Sequence, residues 1–355
     1  MADVHLGATP EAGKAYSEKR ANEIWESFSE MIDICEEEQI ELLLIAGDLF
    51  HRQPLLRELK EMNYLFSKLT KTKVVLIAGN HDYIRKDSYY LTFEWAQNVH
   101  TLFDEQMGYV EFPEINACVY GLSYHSKTIQ KPLYRNQRAK KRQKIEILLA
   151  HGGDETHIPF KKQDLLELGY TYVALGHIHK PAELEANKMH YAGSLEPLDK
   201  TETGKHGYVF GEVSATKVGI AEAKAIEVKA VFVPHAKRMY YQEKIEVTDA
   251  MTGHALKDKI DRKIRARGTQ HLYKITLTGV RDPEVLFDLE HMDTYGNIVE
   301  ITDETMPSYD FAKLERQNRE NLLGKFIEKY KHAEEGSVEA IALYEGVQAI
   351  LKTRR

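Results

Sequence analysis

The chain has 355 residues, 43% hydrophobic and 29% charged, with 48 basic against 55 acidic side chains and a formal net charge of −7. That length suggests two or three domains, that composition excludes a disordered, collagen-like or fibrous chain, and the acidic balance confines any nucleic-acid contact to local patches. No apolar run approaches the ~20 residues of a bilayer span and no secretory signal is visible; the two cysteines, Cys35 and Cys118, exclude a disulfide scaffold or Cys-rich zinc module and predict a reducing, cytoplasmic setting.

In chain order, Ser17 to Glu38 reads as an amphipathic helix with Ile24, Trp25, Phe28, Met31, Ile32 and Cys35 on one stripe. Ile40 to Ala46 is a short apolar run ending at glycine, the pattern of a buried strand. A helix over Leu55 to Leu69 and a second buried strand over Lys73 to Ala78 follow. Ala117 to Leu122, Ile145 to Ala150, Thr171 to Leu175, Met189 to Ala192 and Tyr208 to Val213 are further predicted strands, and strands interleaved with helices give a layered α/β architecture. Then come strands at Met239 to Val247, Leu272 to Leu277 and Ile298 to Ile301, with helices at Gly253 to Arg267 and Pro283 to His291. This is a small α+β domain. After Pro307 the chain turns helical, over Tyr309 to Lys331 and Val338 to Lys352. The predicted domains are residues 1–229, 230–306 and 307–355.

Polar residues recur where the predicted strands end. Asp3-Val4-His5, if extended, places a carboxylate and an imidazole on one side. Gly47-Asp48-Leu49-Phe50-His51 and Gly79-Asn80-His81-Asp82 each follow a buried strand, as do His151-Gly152-Gly153 and Gly176-His177-Ile178-His179. Open α/β sheets place ligands at that edge. Any one of these histidines is more often a hydrogen-bonded structural residue, and Gly-Asn-His-Asp alone could be only a turn. Five such elements in order outweigh that reading. Carboxylate, amide and imidazole donors without thiolate suit divalent Mn, Fe or Zn, and two such ions about 3.5–4 Å apart can serve in-line displacement at phosphorus.

The ordered set Asp3-x-His5, Gly47-Asp48, Gly79-Asn80-His81-Asp82, His151 and Gly176-His177-x-His179 resembles the calcineurin-like metallophosphoesterase superfamily. The flanking text ADVHLG, AGDLFH, LGHIHKP and YAGSLEP is similar to the SbcD-type DNA-repair exonucleases, bacterial relatives of the meiotic-recombination nuclease. The resemblance implies two packed β-sheets flanked by helices, a small α+β capping domain and C-terminal helices. It implies two divalent ions, usually Mn2+. Asp3, His5, Asp48 and His179 would hold one, and Asp48, Asn80, His151 and His177 the other, with Asp48 bridging. A bridging water of lowered pKa would then attack phosphorus in line. His81 would protonate or steady the leaving oxygen, His51 would orient the DNA phosphate, and Asp82 would hydrogen-bond His81 and fix its tautomer. The implied activity is 3′–5′ duplex exonuclease and single-strand endonuclease action in double-strand-break repair. A phosphodiesterase or phosphatase on nucleotides or phosphoproteins, and a non-catalytic subunit of an ATPase complex, are the alternatives. The family carries a strand of several residues ahead of its Asp-x-His. With Asp3 third in this sequence, weaker metal binding and lower stability are expected than with that strand complete.

Between Lys127 and Lys144 there are eight basic residues and no acidic one, among them Lys131, Arg135, Arg138, Lys140, Lys141 and Arg142. This run is a candidate contact for a DNA backbone, and the basic helix to Arg267 a second; a solvated face is the plainer reading of both. The C-terminal helices carry apolar stripes, Phe311 to Tyr330 and Ile341 to Leu351, that by resemblance would dock on an SbcC-like coiled-coil ATPase, or else pack on the chain's own core. No G-x-x-x-x-G-K-[ST] motif occurs, so ATP use would belong to a partner. The Ser17–Glu38 stripe is either a homodimer face or a core-facing one.

Overall fold

The computed structural model describes residues 1–14, 16–218, 223–334 and 336–353, with the side chains of 215–225 left undescribed. The chain forms two units, Met1–Tyr241 and Gln242–Arg355.

Short apolar runs bounded by turn residues become the central strands of the first unit. β1 (Leu42–Ala46), β2 (Lys73–Ile77) and β3 (Val99–Thr101) form a parallel sheet in that order. A second sheet has six strands: β4 (Gly108–Phe112), β5 (Ala117–Gly121), β6 (Ile145–His151), β7 (Tyr172–Gly176), β8 (Ala182–Glu185) and β9 (Met189–Tyr191), in the order β4-β5-β6-β7-β9-β8. Its centre, β5-β6-β7-β9, is parallel. The two sheets pack face to face through Ala46, Val75 and Ile77 on one and Val119, Ile147 and Leu149 on the other. Burial of both faces explains why these strands read as continuous apolar runs.

Helices α1 (Ser17–Glu37) and α2 (Leu56–Ser67) cover the outer face of the smaller sheet, with Phe28 of α1 edge-on to Phe66 of α2 at 5.8 Å. Ile24, Phe28, Met31, Ile32 and Cys35 are buried there. The α1 stripe therefore faces the chain's own core and offers no homodimer face. A short α3 (Tyr89–Thr92) follows β2, and α4 (Lys162–Leu166) precedes β7. The fold class is the layered α/β arrangement the sequence predicts. β10 (Gly207–Val218) and β11 (Ala223–Pro234) add an antiparallel ribbon, longer than the sequence pattern indicates.

The second unit begins within β12 (Tyr240–Val247), which forms a sheet with β13 (Leu272–Arg281), β14 (Ile298–Asp303) and β15 (Met306–Pro307), with α5 (Gly253–Arg267) between β12 and β13. The helix expected over Pro283 to His291 is reduced to a 3-10 turn at Leu289–His291. The helix expected over Tyr309 to Lys331 is two, α6 (Phe311–Gln317) and α7 (Leu322–Tyr330), because the Asn321 side chain accepts from the amides of Leu323 and Gly324 and starts a new helix. α8 (Val338–Lys352) packs Leu343 and Val347 against Leu323 and Ile327. The stripes thus bury one another, while Leu322, Val338 and Ile341 stay exposed.

Candidate metal centre

Four strands of the first unit deliver the predicted site residues. Asp48 follows β1, Asn80 and His81 follow β2, His151 ends β6, and His177 follows β7. Carboxyl ends of parallel strands from the two packed sheets thus meet at one rim. Two glycines permit the meeting. A Cβ on Gly47, at φ +87°, would lie 2.5 Å from His151 Nδ1, and one on Gly79 would collide with the Asp48 carboxylate.

The Asp3–His5 segment is not extended. Asp3 and His5 adopt left-handed backbone, φ 50° and 53°, as do Asp48 at 50° and His177 at 95°. Such conformations cost on the order of 1–3 kcal/mol each and persist only where the surroundings impose them. Here the Asp3 amide donates to the Gly47 carbonyl at 3.1 Å and the His5 amide to that of Asp48 at 3.0 Å. Ala2, Val4 and Leu6 are buried and anchor the segment.

The donor atoms converge. His151 Nε2 lies 2.9 Å from Asn80 Oδ1 and 3.5 Å from Asp48 Oδ2. His177 Nδ1 lies 3.1 Å from the same Asn80 oxygen. His5 Nε2 is 3.0 Å from His179 Nε2 and 3.7 Å from Asp48 Oδ2. Asp3 accepts from the His177 amide at 3.0 Å and approaches His151 Nδ1 at 4.0 Å. Asp3, His5, Asp48, Asn80 and His151 are buried. All seven predicted ligands are therefore neighbours, and among the described residues four groupings, Asp3–His5–His179, Asp3–Asp48–His151, His5–His51–His81 and Asp154–His157–His177, bring ligand atoms within 4.8 Å of one another.

Two buried carboxylates set the electrostatics of the cluster. Among the described residues neither Asp3 nor Asp48 has a Lys or Arg partner. Burial pushes Asp3 up to about 6 against the pull of His151 and His179. Burial would lower His151, yet Asp48 and Asp3 outweigh it and carry it up to about 9. Asp48 is held below the usual carboxylate range because His151 and His5 overcome its burial. Oxygen and imidazole donors around two buried carboxylates are the set that divalent cations take.

His81 and His51 stack beside this cluster with ring centroids 5.0 Å apart. His81 donates its backbone N–H to Asp48 Oδ1 at 2.8 Å, and its Nδ1 lies 3.1 Å from the His51 carbonyl. His51 Nδ1 meets His5 Nδ1 at 3.2 Å. Asp82 does not play the part expected of it. It accepts from the Gly79 amide at 2.8 Å, the Phe50 amide at 3.2 Å and the Tyr90 hydroxyl at 2.8 Å, and so ties the two ligand loops together underneath the site rather than bonding His81.

Two residues absent from the sequence reading also face the cluster. Glu202 Oε1 lies 2.8 Å from His179 Nδ1, and Asp154 Oδ2 lies 2.8 Å from His177 Nε2. Asp154 stands three residues after His151, but Glu202 stands 23 after His179 in a loop, a separation that carries no signal.

The basic run between β5 and β6 is exposed at Lys131, Arg135, Arg138, Lys140, Lys141 and Arg142. Arg138 donates to the Glu167 carbonyl, and Arg142 pairs with Glu111 over the Tyr109 ring. Within the run, Tyr134 is buried and its hydroxyl accepts from the His151 amide at 2.9 Å, which anchors the basic loop to a ligand strand. On α5, Lys259 donates to the Glu246 carbonyl, and Lys263 and Arg267 pair with Glu243 in their own unit. Among the described residues no helix is long and apolar enough to cross a membrane.

Comparison with known proteins gives the same chemistry. The chain is 28% identical over 285 residues to an uncharacterized metallophosphoesterase, YhaO, of Bacillus subtilis, covering 74% of this chain and 65% of that protein. It is 28% identical over 226 residues to the DNA double-strand break repair protein Mre11 of Sulfurisphaera tokodaii (57% of this chain, 54% of the relative) and 27% over 267 residues to that of Methanopyrus kandleri (64% and 56%). The chain thus spans between about half and two thirds of these relatives' lengths. The profile of calcineurin-like phosphoesterases matches residues 1–181, the stretch that holds every predicted metal ligand. With more than half of its length matched, and a rim of buried carboxylate, amide and imidazole donors where such a catalyst needs them, the chain belongs to the calcineurin-like phosphoesterase family, whose members hydrolyse phosphoesters with divalent metal ions.

Proposed function

We propose that the chain is an SbcD-type DNA exonuclease that hydrolyses phosphodiesters with two divalent cations, Mn2+ foremost. The observation that carries this reading is the convergence of the seven ligand side chains at one rim, with His5 and His151 both reaching the carboxylate of Asp48 and His151 and His177 both reaching Asn80. Asp3, His5, Asp48 and His179 would hold one ion, and Asp48, Asn80, His151 and His177 the other. Bound ions would supply an activated water and stabilise charge developing on the phosphoryl oxygens. The remaining work falls to the chain. The His81 Nδ1–H donates to the His51 carbonyl, which leaves Nε2 as the ring atom that would meet the leaving oxygen. His51, exposed at the rim beside His81, would orient the phosphate. Asp82 holds the His81 loop against the Phe50 loop.

DNA as substrate is supported by the exposed basic run anchored through Tyr134 and by the double-strand-break repair proteins among the relatives. On this reading the second unit comprises a capping region to residue 306 and a helical segment, 307–355, whose exposed Leu322, Val338 and Ile341 would meet a coiled-coil ATPase. Two copies would join through a face other than α1; exposed Leu56 and Tyr64 on α2 with Leu91 on α3 supply one.

The test is release of nucleotides from end-labelled duplex DNA with and without Mn2+. His81→Ala is expected to slow cleavage by about 10²–10⁴-fold, the usual contribution of a positioned acid, while Mn2+ affinity stays unchanged. Hydrolysis of a small bis-aryl phosphate with none of DNA would move the assignment to a nucleotide or phosphoprotein phosphoesterase.

A further inference from the structure

The two histidines of the Gly176-His177-Ile178-His179 loop turn opposite nitrogens toward the cluster. His179 faces His5 with Nε2, while His177 faces Asn80 with Nδ1. A neutral imidazole offers a lone pair from one nitrogen only, and the hydrogen bond on the other decides which. For His179 that other nitrogen, Nδ1, meets Glu202 Oε1 at 2.8 Å; for His177 it is Nε2, which meets Asp154 Oδ2 at 2.8 Å.

The two carboxylates are built alike. Each gives one oxygen to its histidine and ties the other to its own loop. Glu202 Oε2 accepts from the Leu198 amide at 3.0 Å and the Ser194 hydroxyl at 3.3 Å. Asp154 Oδ1 accepts from the Thr156 and His157 amides, both at 2.8 Å, and the His157 ring contacts both oxygens at 2.9 Å. Fully buried His151 has a neutral acceptor instead, the Ala46 carbonyl at 2.8 Å. The carboxylates therefore back the two histidines that sit in a partly exposed loop, where packing alone does not fix the ring. They also complete a charge balance. Two divalent ions bring four positive charges; Asp3 and Asp48 offset two, and Glu202 and Asp154 the other two.

We propose that Glu202 and Asp154 are positioning residues, one for each cation: Glu202 orients His179 for the ion held with Asp3 and His5, and Asp154 orients His177 for the ion held with Asn80 and His151. This rests on the two-cation reading above, and goes beyond it by giving each ion its own outer partner.

The experiment is Mn2+ titration of the metal-stripped full chain by calorimetry, with electron paramagnetic resonance of the bound ion. Wild type is expected to show two sites. Glu202→Ala and Asp154→Ala should each weaken one site about 10–100-fold, the usual cost of losing such a partner, and leave the other within about threefold. The double variant should weaken both, because the residues serve different ions. Glu202→Gln, which can still accept the Nδ1–H, should recover part of the loss, and its thermal unfolding without metal should match wild type. Single variants with both sites at wild-type affinity would overturn the proposal, as would a double variant that keeps one tight site. A wild-type chain that binds no Mn2+ would instead overturn the two-cation reading itself.

Discussion

Arg20, Glu23, Glu196 and Arg238 form one buried polar cluster in the first unit; Asp3, Asp48, Asn80 and His151 with their neighbours form another. In the first, side-chain cations meet carboxylates. Arg20 Nη1 lies 2.9 Å from Glu23 and 3.2 Å from Glu196, and Arg238 Nε lies 2.7 Å from Glu23. The Ser27 hydroxyl and the Lys237 amide, both at 2.6 Å, complete Glu196. Two guanidiniums balance two carboxylates, so the charge is settled by covalently attached groups and nothing is left to exchange. In the second cluster imidazole nitrogens look at one another and at an amide oxygen, and among the described residues the two carboxylates are met by histidines rather than by a Lys or Arg side chain. Buried charge must be compensated in both. One cluster does so with guanidiniums that keep their charge; the other does so with histidines, which can yield their protons to a cation, and it is the one held by four left-handed residues. Strain and exchangeable charge coincide in one place.

Asp48→Asn attacks that difference at its root and should have the largest effect. The side chain keeps its volume, and its amide oxygen can still accept from the His81 amide, but the shared negative charge disappears. Mn2+ affinity should fall at both subsites, and Mn2+-dependent phosphodiester hydrolysis should drop at least about a hundredfold, beyond what loss of an outer partner costs. The metal-free protein should remain folded but melt below wild type, since the charge removed is one that His151 and His5 stabilise and that in turn supports His151. Hydrolysis within tenfold of wild type would mean that the reaction centre lies elsewhere.

Arg238→Met gives the reverse pattern. It strips Glu23 of its bidentate partner and leaves a buried carboxylate undercompensated, which costs about 3–5 kcal/mol. Urea unfolding should register that loss, while Mn2+ affinity stays within about twofold of wild type. Equal damage to stability and to metal binding would show that the two clusters act as one.

The sequence makes Asp48, Asn80, His151, His177 and His179 legible because they stand at the ends of apolar runs with the pattern of buried strands, and the flanking Gly47, Gly79 and Gly176 mark where backbone must turn. Apolar periodicity likewise gives α1, α2 and the parallel strands. What escapes it depends on distance or on conformation. Nothing in Asp3-Val4-His5 distinguishes an extended segment from one in which both polar residues are left-handed; the Gly47 and Asp48 carbonyls that impose the turn come from another loop. Glu202 looks like any loop acid until the fold brings it to His179. Asp82, four residues into Gly79-Asn80-His81-Asp82, suggests a partner for its neighbour His81, whereas burial turns it down toward Tyr90. The break between α6 and α7 was readable in principle, since Asn321 is a good N-cap residue, but the apolar stripe runs across it and periodicity alone joins the two helices.

The smallest expected effect concerns pH and isolates the balanced cluster. Burial alone would raise the Glu23 carboxyl, but Arg238 and Arg20 outweigh it and hold the group below the usual range. The unfolded chain titrates near the ordinary glutamate value of about 4.3. As pH falls through that value the unfolded chain takes up its proton first, so the stability that Glu23 contributes is fully present above it and is lost as pH drops on toward the lowered folded value. Arg238→Met removes the leading favourable partner, and the fall in unfolding free energy between pH 6 and pH 3.5 should become shallower for the variant than for wild type. The comparison is made by urea unfolding at each pH in metal-free protein, so that cation release from the other cluster does not enter. Parallel pH profiles would mean that Arg20 alone sets the ionisation of Glu23, and that the balance in this cluster rests on one guanidinium rather than two.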